Sequence, residues 1–163
     1  MSVDRKIDIK KPTLDDIPGL LSLWRGQYDY HHDLDSTYYV PNSNDLDKKF
    51  QLYLTEAVVN NRPHILIATS EDKIVGFVTY EKVEADYFDT SIVEHGDVLE
   101  LYIDDRYRKY GIGNKLMSKV ENFFKGEGLE FMSLQCSTYN KNALDFYSKS
   151  GYINRQSLLY KKI

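Results

Sequence analysis

The chain has almost none of the features that mark a disulfide-stapled, membrane-spanning or metal-folded protein. It holds one cysteine, Cys136, among 163 residues, so no intrachain disulfide can form and nothing signals an oxidising compartment. No apolar run approaches the length of a bilayer span, and the first ten residues, MSVDRKIDIK, lack a signal-peptide core. The expected compartment is therefore the cytoplasm, with no membrane partner. The four histidines (His31, His32, His64 and His95) have no Cys or His partner at metal-ligand spacing, so no metal site is expected. Positive charge is not in excess: 21 Lys and Arg against 25 Asp and Glu leave a net charge of −4. That balance argues against nucleic acid and for a cationic small partner. Repeats and low-complexity tracts are absent. A chain of this length buries one substantial core, so one domain over 1–163 is expected.

What is present is concentrated between Asp97 and Gly113, DVLELYIDDRYRKYGIG. Val98 to Ile103 is an apolar, β-branched and aromatic run with one acid, Glu100, inside it. A charged turn follows, then Gly111-Ile112-Gly113, and Leu116, Met117, Val120, Phe123 and Phe124 then recur at helical spacing. The order is strand, basic glycine loop, helix. It gathers backbone N–H groups and the positive end of a helix dipole in one place, which suits a phosphate. Arg108 and Lys109 add mobile positive charge beside it. The glycines stand too close for a P-loop, and no Ser or Thr follows Lys115. A dinucleotide fingerprint requires a small residue where Leu116 stands, and an earlier place in the chain.

Around this centre the chain predicts an ordered set of elements. Ile7-Asp8-Ile9 alternates as a short strand. Thr13 and Asp16 resemble a helix start, and Leu14, Ile17, Leu20, Leu21 and Trp24 form one apolar face reaching toward Tyr28–His32. The stretch YDYHHDLDSTYYVPNSND then reads as loop-like, aromatic and acidic. It is either a solvated connection or a substrate rim, in which tyrosines such as Tyr28 supply flat walls, Asp33 and Asp35 attract an amine, and His32 is a further candidate contact. Asn44 or Asp45 caps a second helix that ends at Asn60-Asn61. His64–Ser70 and Ile74–Val83 form a hairpin, with Gly76 marking a bulge or a close backbone approach. Residues 84–96 are expected as a loop or ragged strand end holding His95, a spare candidate base. Phe131–Cys136 is a strand, Asn140 caps a short helix ended by Gly151, and Leu158–Ile163 is a last strand. The class is α/β (α+β), with a mixed sheet flanked by helices.

Two blocks carry a family resemblance. Arg108-Lys109-Tyr110-Gly111-Ile112-Gly113, after a strand ending Leu101-Tyr102-Ile103, resembles the coenzyme A loop of the GNAT N-acetyltransferase superfamily. Asn140 through Tyr152, N-x-x-A-x-x-F-Y-x-x-x-G-Y, resembles its second motif at the right distance downstream. The resemblance implies a mostly antiparallel sheet whose strands 97–103 and 131–136 splay apart. It implies acetyl-CoA in that opening, its pantetheine on the backbone of Leu101, Tyr102 and Ile103. The pyrophosphate would lie on Arg108, Lys109, Tyr110, Gly111, Ile112, Gly113 and Asn114. Asn140 matches a cofactor contact, and Tyr147 matches the general acid, close to the leaving sulfur. In this chain Lys109 and Tyr110 stand where relatives often have glycine, and Tyr102 where they have a small aliphatic.

The chemistry of acyl transfer to an amine adds a second line. An alkylammonium is almost fully protonated at pH 7, so a base must take its proton. Glu100, a carboxyl inside an apolar strand, is the candidate, because burial raises a carboxyl into a useful range. Its alternative is a solvent-facing or paired acid, and that of Tyr147 is simple packing. Backbone N–H groups of a bulge at 101–103 are candidates to polarise the carbonyl. Tyr102 faces the same side as Glu100 and serves either as a pocket wall or as core. No acid–His–Cys set is evident, so a covalent route through Cys136 is not expected. The expected activity is acetyl transfer to a small cationic amine, such as a polyamine, an amino sugar or an amino-acid-like metabolite. The alternatives are a protein N-terminal or lysine acetyltransferase, a non-catalytic CoA-binding sensor or an interaction module. A homodimer is compatible with this reading.

Overall fold

In a computed structural model, residues 6–85 and 87–163 are described. Five strands form one sheet in the order β1-β2-β3-β4-β5: β1 (Asp8–Lys10), β2 (His64–Ser70), β3 (Lys73–Glu84), β4 (Glu94–Ile103) and β5 (Met132–Leu134). The first four pair antiparallel and β5 joins β4 in parallel. This is the mixed, mostly antiparallel sheet that the sequence predicts. Four helices flank it: α1 (Ile17–Leu34), α2 (Asn44–Asn60), α3 (Ile112–Gly126) and α4 (Lys141–Lys149).

Each element has a local cause. Thr13 and Asp16 bracket the entry to α1: the Thr13 N–H and hydroxyl both donate to Asp16 Oδ2, at 2.8 and 3.1 Å. Pro18 falls within the first turn, where the missing N–H costs nothing, so it does not kink the helix. The cap of α2 is Ser43, one residue before the expected Asn44, its hydroxyl accepting from Leu46 N at 3.2 Å. Asn61 closes α2 in the left-handed conformation at φ 51°. Glu71 and Asp72, at φ 49° and 60°, make a two-residue turn between β2 and β3 whose hand suits the sheet twist. At Gly76 a Cβ would stand 2.5 Å from Ile103 Cδ1 and 3.1 Å from Tyr102 O, so β3 and β4 approach there only because a side chain is missing.

The helices divide the core into two layers. On one face α1 and α2 bury Leu20, Trp24, Leu54 and Ala57 against Ile65, Ile67 and Phe77. The Trp24 ring lies flat on Phe77 with centroids 4.9 Å apart. On the other face α3 buries Leu116, Met117, Val120 and Phe124 against Val75, Val78 and Val98.

Three expectations change. Helix α1 runs on to Leu34, so Tyr28, His32 and Asp33 lie on its last two turns, not in a loop. Buried Gln27, with Tyr28 packed on Phe50, keeps apolar contact going along a polar stretch. The strand predicted over 131–136 pairs only at Met132–Leu134. The strand predicted over 158–163 has no ladder; Leu158, Leu159 and Tyr160 are exposed, and Tyr160 meets Tyr38 at 5.4 Å. Strand propensity is local, but a strand exists only where another strand supplies its hydrogen bonds.

Candidate active site

Strands β4 and β5 are paired from Gly96/Met132 to Val98/Leu134, and the pairing stops there. Ser133 Oγ donates to Asp97 Oδ1 at 2.7 Å just before the strands part. Beyond that point β4 continues to Ile103 while β5 has ended. The β5-facing edge of Leu101, Tyr102 and Ile103 therefore lies past the last rung of that ladder, an arrangement open to an added strand-like ligand.

The β3–β4 ladder slips between Thr79↔Glu100 and Tyr80↔Val98, leaving Leu99 as a bulge. The bulge is at Leu99 and not at 101–103, the position expected from the sequence. Its consequence is large. Strict alternation would put Val98 and Glu100 on one face. Instead Val98, Leu101 and Ile103 pack with α3, while Glu100 and Tyr102 turn toward α1 and α2. One extra residue re-aims the carboxyl from one layer of the molecule to the other.

There Glu100 is largely buried and accepts a hydrogen bond from Gln27 Nε2 of α1. Burial pushes its carboxyl up to about 7, and the Gln27 bond offsets only part of that. Its charge in turn helps to raise the phenols of Tyr39, Tyr53 and Tyr147, burial being the larger cause for each. Tyr147, on α4, is raised well above an ordinary phenol and so keeps its proton at any physiological pH. It lies edge-on to Phe146 and Tyr152, at 5.2 and 5.6 Å, on the α3 side of the sheet. Glu100 and Tyr147 thus lie on opposite sides of the sheet.

The glycine loop forms a second part of the site. A single helical turn, Asp105–Tyr107, leads into Arg108, and Lys109 and Gly111 adopt left-handed φ of 66° and 74°. Gly111 caps α3, and the first helical bond runs from Lys115 N to Gly111 O at 3.0 Å. The N–H groups of Ile112, Gly113 and Asn114 precede that bond and have no partner within the helix. The Ile112 side chain is core, 1% exposed, so only its backbone can serve a ligand. A Cβ on Gly111 would meet nothing within 4 Å, so the space beside the loop is open to a pyrophosphate. These features fit the acetyl-CoA-type ligand that the sequence motifs imply.

Arg108 departs from the expected mobile charge. Its Nε donates to Ile103 O at 3.0 Å, its guanidinium reaches Asp105 at 2.7 Å, and it lies over the rings of Tyr30 and Tyr102 at 5.3 and 5.5 Å. Lys109 and Tyr110 are exposed. Asn140 caps α4 as the sequence predicts: its Oδ1 accepts from Ala143 N at 3.2 Å, and also from Tyr30 Oη at 3.0 Å. That second bond ties α1 to the start of α4.

The substrate rim is less assembled. Tyr28 packs edge-on to Phe50 and Tyr39, at 5.3 and 6.3 Å. Asp33 is exposed, and Asp35 caps its own turn by accepting from the N–H groups of Thr37 and Tyr38. His95 lies in β4 opposite Val83, at the far end of the strand from Glu100, so it has no role beside it. Burial pushes the Cys136 thiol up, which disfavours a thiolate. Gln27, Tyr39 and Tyr53 carry no motif; only buried polarity on an otherwise apolar helix face hints at Gln27. Among the described residues, no group of three or more His, Cys, Asp or Glu could hold a metal ion, and no helix is long and apolar enough to cross a membrane.

Comparison with known proteins agrees with this geometry. A single-residue mutant of the BH1408 protein from Bacillus halodurans superposes with a TM-score of 0.84 at 17% identity, covering 96% of this chain and 99% of that one. A predicted acetyltransferase from Clostridium acetobutylicum, crystallised with acetyl-CoA, superposes with a TM-score of 0.72 at 18% identity, covering 96% of each chain. These likenesses show the fold. An uncharacterised N-acetyltransferase of Methanocaldococcus jannaschii, MJ1207, is 29% identical over 63 residues, a match spanning 39% of this chain and only 28% of that protein. The sequence model of the acetyltransferase (GNAT) family matches residues 25–152, most of the chain and both motifs. The chain therefore belongs to the GNAT family of acetyltransferases.

Proposed function

We propose that the protein transfers the acetyl group of acetyl-CoA directly to the primary amine of a small cationic molecule, with Glu100 as base and Tyr147 as acid. The observation that carries this reading is the bulge at Leu99. It turns one largely buried carboxyl, raised toward neutrality, to the α1 side of β4, while the protonated phenol of Tyr147 lies on the α3 side of the sheet.

Acetyl-CoA supplies an activated acyl carbon, and the chain's residues do the rest. The edge of β4 over 101–103 and the amides of 111–114 bind and orient the donor, with Asn140 beside it. Glu100 takes a proton from the acceptor's ammonium, which frees the nitrogen lone pair to form the N–C bond. As the C–S bond breaks, the Tyr147 O–H gives its proton to the sulfur and regains one from the nitrogen of the new amide. The Leu99 bulge leaves nearby backbone N–H groups available to the carbonyl oxygen. The aromatic surroundings of Glu100, Tyr39 and Tyr53 favour a cation over an anion.

The test is CoA release, followed with a thiol reagent, across polyamines, aminoglycosides, amino acids and N-terminal peptides. Turnover confined to one small-amine class and abolished in Glu100→Gln and Tyr147→Phe is the expected result. Turnover on peptides alone would move the acceptor class to proteins. Undiminished turnover in both variants would remove these two residues from the chemistry.

A further inference from the structure

We infer that Gln27 is a positioning residue for Glu100, an amide that remains bonded to the carboxyl in its charged and its neutral form and so holds it still while a proton comes and goes. The inference rests on the reading of Glu100 as base.

The observations are geometric. Gln27 lies on the inner face of α1, 4% exposed, among apolar neighbours. Its Nε2 donates to Glu100 Oε2, and its Oε1 is buried with no hydrogen-bond partner. An unmatched buried amide oxygen is costly and rare, so it points to a partner that comes and goes. A protonated carboxyl is that partner. A primary amide and a carboxylic acid are complementary: the amide N–H donates to one carboxyl oxygen while the carboxyl O–H donates to the amide oxygen. In the charged form the first bond remains, strengthened by charge.

No cation competes for this role among the residues linked to the site. The groups whose charge or bonding meets Glu100 are Gln27 on α1, Tyr39 between α1 and α2, Tyr53 on α2 and Tyr147 on α4. From β3, Thr79 faces Glu100 across the ladder, fully buried, its hydroxyl oxygen also without a partner. A lysine or arginine at position 27 would fix the carboxyl in its charged form, and an apolar residue would favour the neutral one. The amide serves both.

The sign of its removal follows from the bond observed. The Gln27 N–H holds the Glu100 carboxyl below where burial alone would put it, so losing Gln27 favours protonated Glu100 and moves its titration to higher pH. The experiment is a carbon-13 titration of the full chain carrying labelled glutamate, with the Glu100 signal identified by its loss in Glu100→Gln. In Gln27→Met the midpoint is expected to rise by about one pH unit. On the amine found active above, kcat/KM at pH 7 should then fall about fivefold and recover at higher pH, with KM for acetyl-CoA unchanged. Gln27→Glu, which retains size and polarity, should raise the midpoint further through like-charge repulsion. An unchanged midpoint and pH profile in either folded variant would overturn the inference while leaving Glu100 as base. Full activity of Glu100→Gln would instead overturn the base reading.

Discussion

The two faces of the sheet are built from the same strands and behave as different materials. Under α3 the layer of Val75, Val78, Val98, Leu116, Val120 and Phe124 is apolar, and the polar atoms that join it are phenols such as Tyr80 and Tyr147. Under α1 and α2 the layer, with Trp24 flat on Phe77, contains Glu100, Gln27 and Thr79. A single bulge at Leu99 separates the two outcomes. The α3 face supports the glycine loop and gains stability from burial. The α1 face gives up stability to hold a carboxyl at a proton affinity useful for chemistry. Active sites are expected to break local rules in this way, with the rest of the fold compensating.

This contrast can be attacked from both sides. Leu116→Ala, on the apolar face, should cost about 2–5 kcal/mol of unfolding free energy in chemical denaturation, with acceptor selectivity intact. Glu100→Gln should do the reverse, abolishing turnover while stabilising the fold. The folded carboxyl titrates near 7 against a reference of 4.5, so above pH 7 its ionisation opposes folding. That penalty fades as pH falls and is gone below the reference value. The variant's advantage should therefore rise from nothing near pH 4 to at most about 3 kcal/mol above pH 7. An advantage independent of pH would mean that Glu100 is not buried as an acid. Tyr147→Phe keeps the ring packing and removes the proton, so kcat should fall about a hundredfold with acetyl-CoA binding preserved by calorimetry. Gly111→Ala forces a Cβ onto φ 74° and should cost about 1–2 kcal/mol. Because that Cβ meets no protein atom, any larger loss in CoA affinity than in stability reports the ligand beside it. Smallest is Tyr30→Phe, which removes the bond to Asn140 and should lower stability by about 1 kcal/mol.

The half of the site built from the glycine loop and α4 was legible because its signals are local. Gly111 and Gly113, the apolar face of Leu116 to Phe124, and the Asn140 cap each lie within a few residues of what they determine. The same holds for the β2–β3 hairpin and the close approach at Gly76. The half that faces the acceptor was not. Helix α1 continues through Tyr28–Leu34 because Gln27 and Tyr28 find a core to pack on, which a polar, aromatic stretch does not announce. Leu158–Ile163 has strand-forming residues without a ladder, and Arg108 is drawn from the phosphate loop to Ile103, Asp105, Tyr30 and Tyr102 by partners distant in sequence or in register.

By itself the sequence determined the order of the elements, the family and the glycine loop that opens α3, because glycines, caps and periodic apolar residues act over one or two turns. It also supplied Glu100 as the only acid within the apolar run Val98–Ile103. Only the tertiary structure decided which way that acid points, since its direction depends on how β4 slips against β3 at Leu99. That slip, with α1 bringing Gln27 across to meet the carboxyl, joins residues far apart in the chain. Burial by those distant partners, and not the residue type, makes this carboxyl suited to exchange a proton near neutral pH.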